Sequence, residues 1–140
     1  MAGISFSQNG LTPFQQLLGH HQEILEKWVS LEDCIFSSDT FSAELKEQVR
    51  RTLAFHNGCE YCMAKGSPSK NITDPRVQLA VRAADLSSNE THIGGDDISA
   101  LKEVFSDAEI AELFALICFI TAPTGSTSFF LRPRWARSSR

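Results

Sequence analysis

Apolar side chains recur at helical spacing along most of this chain, and polar punctuation falls between the apolar stretches. Thr12-Pro13 pairs a capping residue with a proline suited to the first helical position, and Phe14, Leu17, Leu18, Ile24, Leu25 and Trp28 follow as an apolar face. The pattern predicts a first helix from about 13 to 30, a short segment over 31–36, and a loop at Ser37-Ser38-Asp39-Thr40. Ser42 then caps a second helix, whose stripe is Leu45, Val49, Thr52 and Leu53. Glu44, Lys46, Gln48 and Arg50 lie largely outside that stripe. Asn57-Gly58 stops it.

A short helix carrying Cys59-Glu60-Tyr61-Cys62 is expected next, with Ser67-Pro68 as its stop signal. Asp74-Pro75 opens another helix, over about 76–86, and Gly94-Gly95 separates it from a short one over about 98–105. Ser106-Asp107-Ala108-Glu109 is a capping box for a last, strongly apolar helix through Leu113, Leu116, Ile117 and Ile120. Pro123 and Gly125 are expected to break it, with a helical turn resuming over about 126–131. Strand-like alternation and internal repeats are missing, so the prediction is all-α with about six helices.

The 140 residues suit a single domain over 1–140, its core spanning about 12–122 and ending in a basic tail, 132–140, with four arginines. A formal charge of −4 gives no reason to expect nucleic acid as a partner, and the tail reads as a solvated terminus. The longest apolar run is about half the length that a membrane span needs, so no membrane partner is expected. The first ten residues lack a basic stretch followed by an apolar one, and the expected location is therefore cytoplasmic. In such a reducing setting, Cys34 and Cys118, each alone among apolar neighbours, suit buried free thiols.

Cys59 and Cys62 differ from these two. On a helix their azimuths lie about 60° apart and their Cα atoms about 5 Å apart, within reach of a disulfide. A helix N-terminus favours thiolate over thiol, and Lys65 adds a positive charge while Glu60 opposes both. The pair therefore reads either as a reversible dithiol or as two reduced thiols that fill space. A thioredoxin context would need a preceding strand, but the residues before Cys59 have helical periodicity. For zinc, the other Cys and His residues offer no second close pair except His20-His21, whose side chains diverge on a helix. Neither metal nor cofactor is expected.

Glu47, eleven intervening residues and then Cys59-Glu60-Tyr61-Cys62, set within this order of helices, resemble the alkylhydroperoxidase D and carboxymuconolactone decarboxylase family. The resemblance covers roughly residues 12–122. It implies an all-helical protomer that forms homotrimers or hexamers. It also implies a peroxiredoxin-type oxidoreductase: an antioxidant thiol peroxidase acting on alkyl hydroperoxides through a dithiol/disulfide cycle. Cys62 matches the attacking thiol, Cys59 the resolving thiol, and Glu47 the carboxylate of a proton relay. The reductant it implies is a dithiol such as a lipoyl-bearing or thioredoxin-like protein.

The chain departs from that motif at Gly66, where the family places a histidine four residues after the second cysteine. Tyr61 stands where a second histidine falls, and a phenol is a poor base near neutral pH. His56 is the nearest substitute in sequence, and it reads equally as a capping side chain at the end of the second helix. Taken alone, Glu47 reads as a solvated residue within reach of Arg51, one turn on. Two other functions stay open: a non-catalytic redox sensor or oligomeric protein, and a decarboxylase-like lyase whose anion-binding groups would be Arg51 and Lys65.

Overall fold

In a computed structural model, residues 4–56, 58, 63–64, 66–89 and 91–130 are described, with side chains to 123. The described residues form six helices and no strand: α1 (Pro13–Leu18), α2 (Gln22–Ser37), α3 (Ala43–His56), α4 (Pro75–Ser88), α5 (Gly95–Lys102) and α6 (Asp107–Phe130). The all-α expectation therefore holds. No helix among the described residues is long and apolar enough to cross a membrane.

Helix α3 is the centre of the packing. Ser42 caps it, its Oγ accepting from Leu45 N at 3.1 Å, and Leu45, Val49 and Leu53 bury one face almost completely. Against them lies α4, started by Asp74 and Pro75, which presents Val77, Ala80, Ala83 and Ala84. Three alanines on one face let the two helix axes come close. Leu113, Leu116, Ile117 and Ile120 of α6 close the core from another side. Its first turn carries the capping box that the sequence announces: Glu109 N donates to Ser106 Oγ, and Ser106 N to Glu109 Oε2.

Aromatic rings seat the flanking helices. Trp28 of α2 stacks on Phe119 of α6 with centroids 4.2 Å apart, and Phe14 of α1 meets Trp28 edge-on at 5.0 Å. Past the end of α5, Phe105 packs edge-on against Phe41 at 5.8 Å, with the Arg76 guanidinium over its ring.

The long first helix proves to be two. Ser7 N and Ser7 Oγ both donate to Gln16 O, and Asn9 Nδ2 donates to Gly19 O, so the preceding segment takes up carbonyls that a continuing helix would have used. Gly19 permits this approach, because a Cβ there would lie 2.3 Å from Ser7 Oγ and 2.4 Å from Asn9 O. His21 then caps α2 through Nδ1, and α2 absorbs the segment assigned to 31–36 and ends at Ser37.

Other boundaries also shift. Asp97 Oδ2 accepts from Gly94 N, which starts α5 at Gly95, three residues before the expected position. Helix α6 continues through Pro123 to Phe130: a proline removes one hydrogen bond, and a helix already packed for several turns survives that loss. Cys34 and Cys118 are exposed rather than buried, since their neighbours Ile35 and Ile117 face the core and one residue turns the helix by about 100°. Gln48 is buried instead of lying outside the stripe. The basic tail lies outside the described residues.

Core position should dominate stability. Leu53→Ala is expected to cost about 2–5 kcal/mol in urea unfolding, while Leu31→Ala, at a site 47% exposed, stays within about 0.5 kcal/mol of the parent. Equal losses would contradict this arrangement.

Candidate functional site

Cys59, Tyr61, Cys62 and Lys65 lie outside the described residues, whereas the structure that flanks them is described. On the upstream side, α3 ends at His56, and Gly58, with φ of 62°, donates its amide to Phe55 O at 3.4 Å. On the downstream side, Gly66 N donates to Met63 O at 3.0 Å. The chain then returns to α3 at two points. Ser69 N donates to Gln48 Oε1 at 2.9 Å, and Arg51 Nη1 to Ser67 O at 3.4 Å. Both flanks of the cysteine-bearing segment are therefore tied to one helix.

The burial of Gln48 follows from this tether. Its carbonyl accepts from Thr52 Oγ1 at 2.8 Å while its side chain reaches out to Ser69, so a polar residue in the core is satisfied at both ends. A single-sequence window sees only a polar residue in a helix. The amide that partners it stands twenty-one residues away.

Glu47 lies on the outer side of α3, its side chain 39% exposed, and binds two guanidinium groups. Arg50 donates from Nε to Oε2 at 2.8 Å and from Nη2 to Oε1 at 2.6 Å; Arg51 donates from Nε to Oε1 at 2.9 Å. Arg50's hydrogen bonding, joined by that of Arg51 and only partly opposed by desolvation, holds the carboxyl at about 2, against an ordinary value of 4.5. Such a weakly basic carboxylate suits an anchor for cations better than a proton acceptor at neutral pH.

Arg51 also answers what occupies the space beside Gly66. A Cβ added to Gly66 would stand 3.0 Å from Arg51 Cζ, 3.1 Å from Nε and 3.2 Å from Nη2. The backbone there has φ of 125°, a conformation that other residues adopt only under strain. A cation, not a base, fills the position.

His56, at the last turn of α3, meets Asp85 of α4, with Nε2 to Oδ1 at 2.5 Å. The carboxylate fixes the ring across the helix pair, which a cap at the end of its own helix would not do. Phe55 and Met63, 54% and 37% exposed, leave apolar surface on both sides of the segment. Elsewhere, an open groove of about 370 Å³ on α2, lined by Ile24, Trp28 and Leu31, includes none of the sequence-derived site residues. Among the described residues no three His, Cys, Asp or Glu side chains converge as metal ligands.

Two outcomes test this geometry. The Glu47 carboxyl is more acidic when folded than when unfolded, so its stabilisation is complete above about pH 4.5 and fades as the pH falls toward 2. Glu47→Gln should therefore cost up to about 1 kcal/mol at pH 7, as expected for an exposed ion-pair cluster, and progressively less below pH 4.5 in urea titrations. Gly66→Ala should destabilise the protein by about 1–3 kcal/mol, read by the same method.

No family model matches this chain, and neither does any curated protein.

Proposed function

We propose that the protein is a thiol-dependent peroxidase that reduces alkyl hydroperoxides through Cys62 and Cys59. The observation that carries this reading is the anchoring of both flanks of the Cys-x-x-Cys segment to α3, through Gly58 on one side and Gln48 and Arg51 on the other. Cys59 and Cys62 stand three positions apart, a spacing that a helical turn brings within reach of a disulfide. The all-α fold agrees with the alkylhydroperoxidase D resemblance.

The Cys62 thiolate attacks one peroxide oxygen and the O–O bond breaks. The alkoxide leaves and takes up a proton as alcohol, and Cys62 is left as a sulfenic acid. Cys59 then attacks that sulfur, water departs, and a disulfide forms. Each cycle thus converts one hydroperoxide and two thiols into one alcohol, one water and one disulfide. An external dithiol, of the lipoyl-bearing or thioredoxin-like kind, restores the thiols by exchange. In this reading His56, its ring oriented by Asp85, exchanges protons with the pair, while Glu47 anchors Arg51. The protein works in the cytoplasm as a homotrimer or hexamer, and the apolar exposure of Phe55 and Met63 supports association beside the site.

A second reading draws support from Arg51. A guanidinium over Gly66 supplies no proton acceptor, which suits a redox sensor that closes its disulfide once and turns over slowly.

Peroxide loss and free thiols, followed with an organic hydroperoxide and a dithiol reductant, separate the two. The parent should consume peroxide over many cycles, Cys62→Ser should fall to background, and Cys59→Ser should stop after one equivalent. Peroxide consumption that survives in Cys62→Ser would sink the assignment of the attacking thiol. A parent that loses two thiols once, without further turnover, is the sensor.

A further inference from the structure

We infer that the open groove on α2 is the docking face for a second copy of this chain, laid antiparallel so that Glu23 of each copy meets Lys27 of the other. The contact is separate from the thiol chemistry and involves neither Phe55 nor Met63. Its lining is His21, Glu23, Ile24, Lys27, Trp28 and Leu31, around an open volume of about 370 Å³.

Packing within one copy uses only part of the apolar surface of α2. Leu25 and Ile35 are buried, and Trp28 is in contact with Phe14 and Phe119. Ile24 and Leu31 stand four positions before Trp28 and three after it, a helical spacing that extends the apolar stripe beyond the edge of the core. They remain 49% and 47% exposed. A stripe wider than its own core requires points to a partner outside the protomer.

The charged rim of the groove selects that partner. Glu23 and Lys27 stand one turn apart, in the order that favours an ion pair along a helix, yet among the described residues neither makes an ion pair or a side-chain hydrogen bond. Outside the groove, Glu26 and Glu32 are each engaged by a glutamine. One anion and one cation on a single rim complement the same rim turned end for end.

A two-fold contact joins a surface to itself, residue i against j and j against i. Antiparallel helices then set Glu23 against Lys27 twice, whereas parallel ones set Glu23 against Glu23 and Lys27 against Lys27. The midpoint of the pair is Leu25, so its neighbour Ile24 falls beside the axis, and Trp28 and Leu31 extend the apolar contact outward. Charge thus fixes direction and register, while apolar burial supplies most of the attraction. A contact built on one helix from each copy lies at the small end of specific interfaces, which makes it reversible at micromolar concentrations.

Sedimentation of the reduced full-length chain from about 1 μM to about 500 μM reads the particle mass. In the parent the mass should double across that range. Leu31→Glu should abolish the doubling, and Leu11→Glu, at an apolar residue 93% exposed but outside the groove, should leave it intact. Glu23→Lys and Lys27→Glu should each weaken association by about tenfold or more, since like charges then face one another. An equimolar mixture of these two variants should recover it, because each carries the charge that the other lacks. Acetylation of Lys27, followed by peptide mass spectrometry, should slow in the parent as concentration rises.

A parent whose mass stays constant overturns the inference. So does doubling that survives in Leu31→Glu, a single charge variant that associates like the parent, or a mixture that fails to recover. Lys27 shielded at every concentration would mean that the same chain covers the face, and Lys27 open at every concentration that nothing does; either result overturns the inference. If Glu23→Lys fails to fold, Lys27→Glu and the acetylation series still decide. Peroxide turnover is read separately, so failure here leaves the peroxidase reading standing.

Discussion

The burial of α3 against the alanine face of α4 is the interaction on which the rest of the molecule depends. Val49, Leu53, Val77, Ala80 and Ala84 are completely excluded from solvent at this contact. Each large side chain buried there contributes about 1.5–3 kcal/mol, whereas an exposed ion pair contributes about 0–1 kcal/mol. Packing therefore fixes where α3 lies, and the polar groups on its remaining surface act from a position already decided. Their contribution is placement: Gln48 and Arg51 recover the chain on its way out of the cysteine segment, and His56 reaches Asp85 across the same helix pair.

That division of labour explains how a charged cluster can be precise without being deeply buried. Glu47 is partly exposed, but Arg50 occupies both of its oxygens and Arg51 shares one of them. Three side chains within two turns of one helix restrain one another, so little additional ordering is needed to hold Arg51 against Gly66. The same restraint makes Glu47 a stronger acid and a weaker base. Anchoring a cation and relaying a proton are opposed demands on one carboxylate, and the two arginines settle the competition toward anchoring.

What was legible in the sequence was whatever local physics decides. Ser42, Asp74-Pro75 and the capping box at Ser106 each act within one turn, and each starts a helix as the sequence indicates. The stripe of Leu45, Val49 and Leu53 was equally readable, because burial of a helix face imposes its period on the residues. The split between α1 and α2 was not. Its cause is the approach of Ser7 and Asn9 to Gly19, and a glycine inside an apolar helical pattern does not reveal what will come to lie against it.

The candidate site divides along the same line. Pairing of Glu47 with Arg51 is an (i, i+4) relation, and the spacing of Cys59 and Cys62 is equally local. By contrast, Gln48 with Ser69, His56 with Asp85 and Arg51 with Gly66 join residues fifteen or more positions apart, and no periodicity relates them. Gly66 is the sharpest instance. In sequence it reads as a missing histidine and so as a loss. Beside Arg51 it becomes a requirement, since the guanidinium occupies the space a side chain would need and the backbone takes a left-handed conformation that favours glycine. Glycine at 66 thus admits the Arg51 guanidinium of α3 into space that a side chain would fill, and a contact between helix and loop, not any local pattern, decides which residue the position accepts.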